Sequence, residues 1–384
     1  MYSKTITTKG DSWDNISRRI FGTPERAGDL EKINSGVLSN DVITFDSNID
    51  TTSKTVQGVT LEVENTTFQN FSEYLLIDEL GSCKGGVFIV LCNENNFSFK
   101  INQNAKVYDE NGLFLSGRVA NIKAVFEKGK VYKQIEVKSN AGILVETIMP
   151  PPLEFINQSI EQILTTVCGY YGQTVEFENA PEKAQINANE IGTSFVAKEN
   201  ETVFHFLYRI CLSRGLIFHD TGANLKVFKL NEGNKEKINF IEGECIGISS
   251  IKASFIGDGL ARNYEYNSQF PILKNATITT PFPFPITKTL TSNDINANEI
   301  ENSALALTCK EIAQHFPLEI VLNDNFSIKS GDIAIVKQSA VGIEQPTDYV
   351  ISKALRLNPS TMALVLKLPC AYSGIMPEKL PLCD

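Results

Sequence analysis

The side chains best suited to nucleophilic, acid–base or metal chemistry are three histidines, His205, His219 and His315, and eight cysteines at 83, 92, 168, 211, 245, 309, 370 and 383. Zinc would require thiols and imidazoles at short spacing. No Cys-x-x-Cys pair exists, and no histidine stands at zinc-finger distance from a cysteine. A hydrolytic triad would require a Ser or Cys in a nucleophile motif to work with a histidine, and none of the three has one. The carboxylate pairs Asp109–Glu110 and Glu242–Glu244 read as solvated turns; a glycosidase would need two carboxylates flanking a groove. Gly81, Gly85 and Gly86 surround Cys83-Lys84 without forming a phosphate-cradling pattern. These residues imply no enzyme, no cofactor and no metal. The histidines read as core or surface residues, and the cysteines as reduced thiols packed like small apolar side chains.

The elements that hold these residues are clearest in the middle of the chain. From Ser159 to Tyr171, Ile160, Ile163, Leu164, Val167 and Tyr171 recur at helical spacing. Gly172 is a natural left-handed stop, and Thr174–Phe177 reads as a strand. The same grammar returns with Val203, Phe206, Leu207 and Ile210 on one helical face and Gly215 as the stop. Leu216–His219 then pairs with Leu225–Leu230 around the turn 221–224. Residues 150–246 form a compact α+β unit. It is preceded by the stiff Met149-Pro-Pro-Pro152 boundary.

Both flanks alternate with strand period. Between 37 and 149, strands are expected at 56–63, 86–91, 97–101, 114–126 and 131–137, the rhythm of an antiparallel sandwich or barrel. Between 247 and 384, strands are expected at 251–255 and 276–280. A helix is expected at 300–315, a strand–turn–strand at 326–336, and a terminal hairpin of Asp348–Leu357 with Thr361–Leu368. The stretch Pro281-Phe-Pro-Phe-Pro285 is a stiff extended segment. Phe282 and Phe284 serve it either as a strap over its own domain or as an arm at a subunit interface.

Ahead of these lies Thr5–Asn34, which reads as a strand, a Gly10-Asp11 turn and two short helices. Asp11 caps the first helix, whose apolar face is Trp13, Ile16 and Ile20. Thr23-Pro24 opens the second, striped by Leu30 and Ile33 and closed near Asn34. This order resembles a LysM module of βαα form, over residues 1–36. The resemblance implies a docking module through Gly10, Asp11, Trp13, Ile16, Leu30 and Asn34, directed at another protein or at peptidoglycan.

With 384 residues, 42% of them hydrophobic, the chain can build two to four packed domains. A net charge of -10 argues against a dedicated nucleic-acid binder, which needs clustered cations. It fits a surface that DNA slides past. No apolar run approaches the roughly 20 residues of a membrane span, and Met1-Tyr-Ser-Lys-Thr is unlike a signal peptide. A soluble protein folded in a cytoplasm, with no membrane partner, is expected.

The segment from Pro150 to Leu230 resembles phage tail baseplate hub proteins of the Mu-like contractile-tail family. The resemblance rests on Ser159-Ile-Glu-Gln-Ile-Leu, Cys168-Gly-Tyr-Tyr-Gly-Gln-Thr-Val, Thr202–Leu216 and Thr221-Gly-Ala-Asn-Leu-Lys-Val-Phe. The terminal hairpin, with Tyr349-Val-Ile and Leu364-Val-Leu-Lys-Leu-Pro, is similar to that family's last strands. It implies a mainly β, α+β fold in which two tube-like β-barrel or sandwich domains, 37–149 and 247–384, flank the mixed domain. It further implies a structural homotrimer of the virion tail baseplate, assembled in the host cytoplasm. Its partners would be the hexameric tail tube protein, the trimeric spike protein and other baseplate proteins, with DNA passing through the lumen. Two readings stay open beside it: a LysM-guided cell-wall-binding accessory protein, and the hub of a phage-derived injection machine.

Overall fold

The computed structural model describes residues 2–6, 42–46, 58–64, 66–69, 71–92, 99–127, 130–178, 194–230, 237–243, 247–268, 274–284, 286–291, 300–323, 326–357 and 361–381. The chain separates into two units, Met1–Gly58 and Val59–Asp384. In the first, β1 (Tyr2–Ile6) pairs antiparallel with β2 (Val42–Asp46), Tyr2 opposite Asp46. That pairing carries the front unit beyond residue 36. The two helices expected there, and the docking residues Gly10, Asp11, Trp13, Ile16, Leu30 and Asn34, lie outside the described residues.

The second unit begins with β3 (Thr60–Val63), β4 (Thr66–Phe68), β5 (Glu73–Glu79), β6 (Gly85–Cys92), β7 (Asn104–Asp109), β8 (Gly112–Glu127) and β9 (Lys130–Ser139). A short helix, Gly142–Glu146, precedes the mixed segment. That segment holds β10 (Glu154–Ile156), the helix Ile160–Gly169, β11 (Val175–Glu178), β12 (Ser194–Val196), the helix Val203–Leu212, β13 (Leu216–Asp220) and β14 (Leu225–Lys229). The last part holds β15 (Ile238–Ile241), β16 (Ile248–Ala253), β17 (Asn263–Ser268), β18 (Lys274–Thr279), β19 (Thr287–Thr291) and the helix Ile300–Gln314. It closes with β20 (Leu318–Leu322), β21 (Ile333–Gln338), β22 (Ile343–Leu357), β23 (Thr361–Lys367) and the turn of helix Cys370–Ser373.

Thirteen strands form one sheet in the order β16-β20-β23-β22-β5-β6-β9-β8-β7-β3-β4, with β21 also on β22 and β15 on β21. It curls into a half-barrel. The two β-rich segments meet where Leu75–Glu79 of β5 pairs antiparallel with Lys353–Leu357 of β22. They are therefore two stretches of a continuous ladder. Period-2 burial drives this: Leu61 and Val63 in β3, and Met362, Leu364 and Leu366 in β23, point inward while their neighbours do not. The expected terminal hairpin is β22 with β23.

In the mixed segment the expected elements are present with their caps. Ser159 Oγ accepts the Gln162 N–H at 3.1 Å, and Gln162 Oε1 accepts the Ser159 N–H at 2.9 Å, a reciprocal capping box. Thr202 Oγ1 accepts the His205 N–H at 3.3 Å. Gly172 and Gly215 end their helices at φ +66° and +64°. β13 pairs antiparallel with β14, which runs parallel to β11. Leu216 and Phe218 of β13 face the core of the two helices, whereas Ile217 faces the core of the last segment.

Two expected strands do not form. Of 97–101, the first two residues lie outside those described. Phe99–Ile101 lead into a turn because the Lys100 N–H donates to Gln103 Oε1 at 2.7 Å and Asn102 adopts φ +68°. Phe326–Ile328 stays irregular next to a turn held by Asp332, whose carboxylate accepts the Lys329 N–H at 2.8 Å. Among the described residues, no helix is long and apolar enough to cross a membrane.

Candidate functional site

The unusual chemistry of the second unit is a set of buried charges where its three segments meet. Asp78 occupies an inward position of β5, two residues after the buried Leu76, and is 4% exposed. Across the ladder it faces Ala354, whose small side chain leaves room for polar groups. Lys84 Nζ lies 3.5 Å from Asp78 Oδ2, and Ser330 Oγ donates to Asp78 Oδ1 at 2.6 Å. His219 Nε2 stands 3.6 Å from the same Oδ1. Burial works to raise the Asp78 pKa, but His219, Lys84 and the two Ser330 donors outweigh it and hold the carboxyl below its ordinary value.

Asp220, the next residue after His219, is also buried. Its Oδ2 accepts the Lys84 N–H at 2.8 Å and the Ser139 hydroxyl, and its Oδ1 accepts the Gly222 N–H at 2.7 Å. Further along the same face, the Arg356 guanidinium of β22 donates to Asp109 and, at 3.2 Å, to Glu110. Phe114 links the two groups. Lys84 Nζ sits 4.6 Å and the Arg356 guanidinium carbon 6.0 Å from its ring centroid. A cleft of about 270 Å³ adjoins the cluster, lined by Asp78, Lys84, His219, Lys329 and Arg356 among others.

Asp109 thus corrects the reading of a solvated pair. The turn after it forms as expected, Asp109 opposite Gly112, but the carboxylate folds under Arg356 and is 5% exposed. Of the second pair, Glu242 lies in a turn, where it accepts the Ser339 N–H at 3.0 Å; Glu244 lies outside the described residues. Gly81 takes φ +85° against the Tyr208 ring, a packing role for that glycine cluster. His205 is exposed near its helix cap, and His315 follows its helix with Nδ1 at 2.7 Å from the Ile256 carbonyl. Cys83, Cys168, Cys211, Cys309 and Cys370 are free thiols. Phe282 is buried and Phe284 half-buried against the core of the last segment, their rings 6.0 Å apart.

The cluster has the components of a hydrolytic relay but not its order. Ser139 and Ser330 donate to carboxylates rather than to His219, and His219 Nδ1 has no hydrogen-bond partner. A nucleophile would have to sit on that nitrogen. Burial, the largest influence on His219, lowers its pKa despite the nearby Asp78, so the ring is neutral at neutral pH. The arrangement ties the three segments together: Ser330 of the last donates to Asp78 of the first, and Asp220 of the middle accepts from Lys84 and Ser139 of the first. Sequence reading missed it. The available signal was charge at inward positions of apolar strands, as in Leu75-Leu-Ile-Asp-Glu-Leu and Lys353-Ala-Leu-Arg-Leu.

No protein-family profile matches the sequence, and no curated protein matches it. Solved structures do match. The 43 kDa tail protein of prophage MuSo2 from Shewanella oneidensis superposes with a TM-score of 0.67 at 15% identity, over 82% of this chain and 99% of that one. The chain has the fold of a phage tail protein. The tail protein from Neisseria meningitidis MC58 gives a TM-score of 0.67 at 14% identity, over 83% and 98%. An E. coli component of the type VI secretion system, described as structurally similar to the T4 tail proteins gp27 and gp5, gives 0.55 at 9%, over 83% and 79%. At these identities the fold is what is shared, and at that level it agrees with the tail-protein resemblance.

Proposed function

We propose that this chain is a structural, non-enzymatic hub of a contractile phage tail baseplate, a homotrimer that joins the hexameric tail tube to the trimeric spike. The observation that carries the reading is the fold match with two tail proteins, which spans nearly their whole length and more than four fifths of this chain. The continuous ladder through β5 and β22 supports it mechanically. Two β-rich stretches locked into one body by the Ser330–Asp78 hydrogen bond and the Arg356–Asp109 pair would present fixed edges, so three copies could offer six contacts to a tube. The net charge of -10 suits a lumen that DNA traverses without sticking. Residues 1–36 would then act as a docking piece within the particle.

The test is co-expression with the neighbouring tube and spike proteins, followed by mass measurement and electron microscopy of the purified complex. Three copies on a common axis between tube and spike are expected. A clean monomer at high concentration with both partners present would overturn the reading. A pull-down on purified peptidoglycan should retain the chain no better than a matched control; specific retention would favour wall binding by the front module.

A further inference from the structure

Two buried free thiols meet in the core of the last segment, Cys309 and Cys370. The helix Ile300–Gln314 buries one side through Ala304, Thr308, Cys309, Ile312 and Ala313. Just after β23, Pro369 opens the single turn of helix Cys370–Ser373, whose four residues are all buried. Two contacts fix how that turn lies on the longer helix. A Cβ on Gly374 would meet the Ala306 Cβ at 3.8 Å. Three positions further along, Cys370 Sγ donates to the Cys309 carbonyl at 3.5 Å. The Cys309 side chain, ahead of burial, pushes the Cys370 thiol up, as expected of two sulfurs in contact.

A disulfide needs its two Cβ atoms about 3.5–4.5 Å apart, so only thiols that already face each other close without moving the backbone. Cys168 and Cys211 also share a core, but among the described residues no hydrogen bond joins them.

We propose that Cys309 and Cys370 form a redox-conditional staple: two thiols in reducing solution, and in oxidising solution a disulfide tying the helix Ile300–Gln314 to the chain that leaves β23. The staple does not depend on the chain acting as a tail hub. A small disulfide such as oxidised glutathione is the oxidant. One protein thiolate attacks a glutathione sulfur, forming a mixed disulfide and expelling the first glutathione thiolate. The second protein thiolate then attacks the protein sulfur of that bond, forming Sγ–Sγ and expelling the other. The two protons from the protein thiols end on the two glutathiones, and the two electrons reduce the glutathione disulfide.

The test uses the full chain in mixtures of oxidised and reduced glutathione, once folded and once in urea, quenched with acid and mapped by peptide mass spectrometry. Because both sulfurs are buried, exchange in the folded chain proceeds through openings of the turn, so samples are followed until the peptide ratios stop changing. A Cys309–Cys370 linked peptide, lighter by two hydrogens, is expected. Its ratio to the reduced form should be at least about tenfold higher in the folded chain than in urea, and higher than for any other cysteine pair, Cys168–Cys211 included. The linked chain should unfold at a higher urea concentration than the reduced one, because the bond closes a loop across 61 positions of the unfolded chain. Cys370→Ser should lose that difference. Equal ratios in folded and urea samples, predominance of another pair, or glutathione left on either sulfur in place of the link would overturn the proposal. So would a linked chain that unfolds at the same or a lower urea concentration.

Discussion

Arg356 closes on Asp109 across 247 residues of sequence, and each side chain is 5% exposed. The pair ties β22 of the last segment to the β7–β8 turn of the first. Breaking one partner of a buried ion pair leaves an uncompensated charge, which costs about 3–5 kcal/mol, whereas replacing both by apolar groups is often neutral. Arg356→Met should therefore destabilise by about that amount in urea titration, and Arg356→Met with Asp109→Leu should recover most of it. A loss below about 1 kcal/mol for the single variant would show that the pair is solvated.

Gly222 marks a close approach of the middle segment to the first. It adopts φ +91°, and a Cβ there would lie 2.0 Å from the Phe114 carbonyl oxygen. Its own carbonyl accepts the Ser116 N–H at 2.8 Å, so the turn cannot back away without losing that bond. Gly112 supplies the control, with φ +104° and open space around it. Gly112→Ala should cost about 1–2 kcal/mol from conformation alone. Gly222→Ala should cost clearly more, and equal losses would mean that the close approach is not maintained in solution.

The thiols should be slow to alkylate in the native protein. Burial pushes Cys168 up to about 12, and burial followed by the Asp220 charge pushes Cys83 up to about 11. Only the thiolate reacts, and a free cysteine ionises near 8.5. With iodoacetamide at pH 8, peptide mass spectrometry should find Cys83, Cys168, Cys211 and Cys370 labelled at least about tenfold more slowly than in urea. Rapid native labelling of Cys168 would contradict its burial.

What could be read from sequence was local. The helices at 160–169 and 203–212 announce themselves through period and stop glycines within a dozen residues, and the β22–β23 hairpin through alternation around a turn. The β5–β22 seam could not be read, because nothing in Leu75–Glu79 names a partner some 280 residues away. Turn chemistry actively misled at Asp109: Asp-Glu-Asn-Gly predicts the turn correctly and says nothing of Arg356. His219 was placed at a strand end, but its burial depends on β13 lying between two cores, which only the tertiary arrangement creates.

That burial gives a pH test whose sign can be worked out. The groups acting on His219 are Asp78 on β5, Lys84 ahead of β6, Asp220 on its own strand and Lys226 on β14. Burial leads and lowers the folded pKa below the ordinary 6.5, so the unfolded chain binds the proton more readily. Stability is complete above about 6.5 and is lost as pH falls from there toward the folded value, by at most about 1.4 kcal/mol per pH unit for one proton. Asp78, also lowered, adds a second and separate loss below its ordinary 3.8. Urea midpoints of the native chain should therefore decline between about pH 6.5 and 5. His219→Gln, which cannot titrate, should decline less over that window while keeping the loss at lower pH. Asp78→Asn should shrink the lower loss, to which other depressed carboxyls such as Glu201 also contribute. A native midpoint that stays flat from pH 7 to 5, or one that rises, would mean that His219 is protonated as a partner of Asp78 instead of being held neutral between the segments.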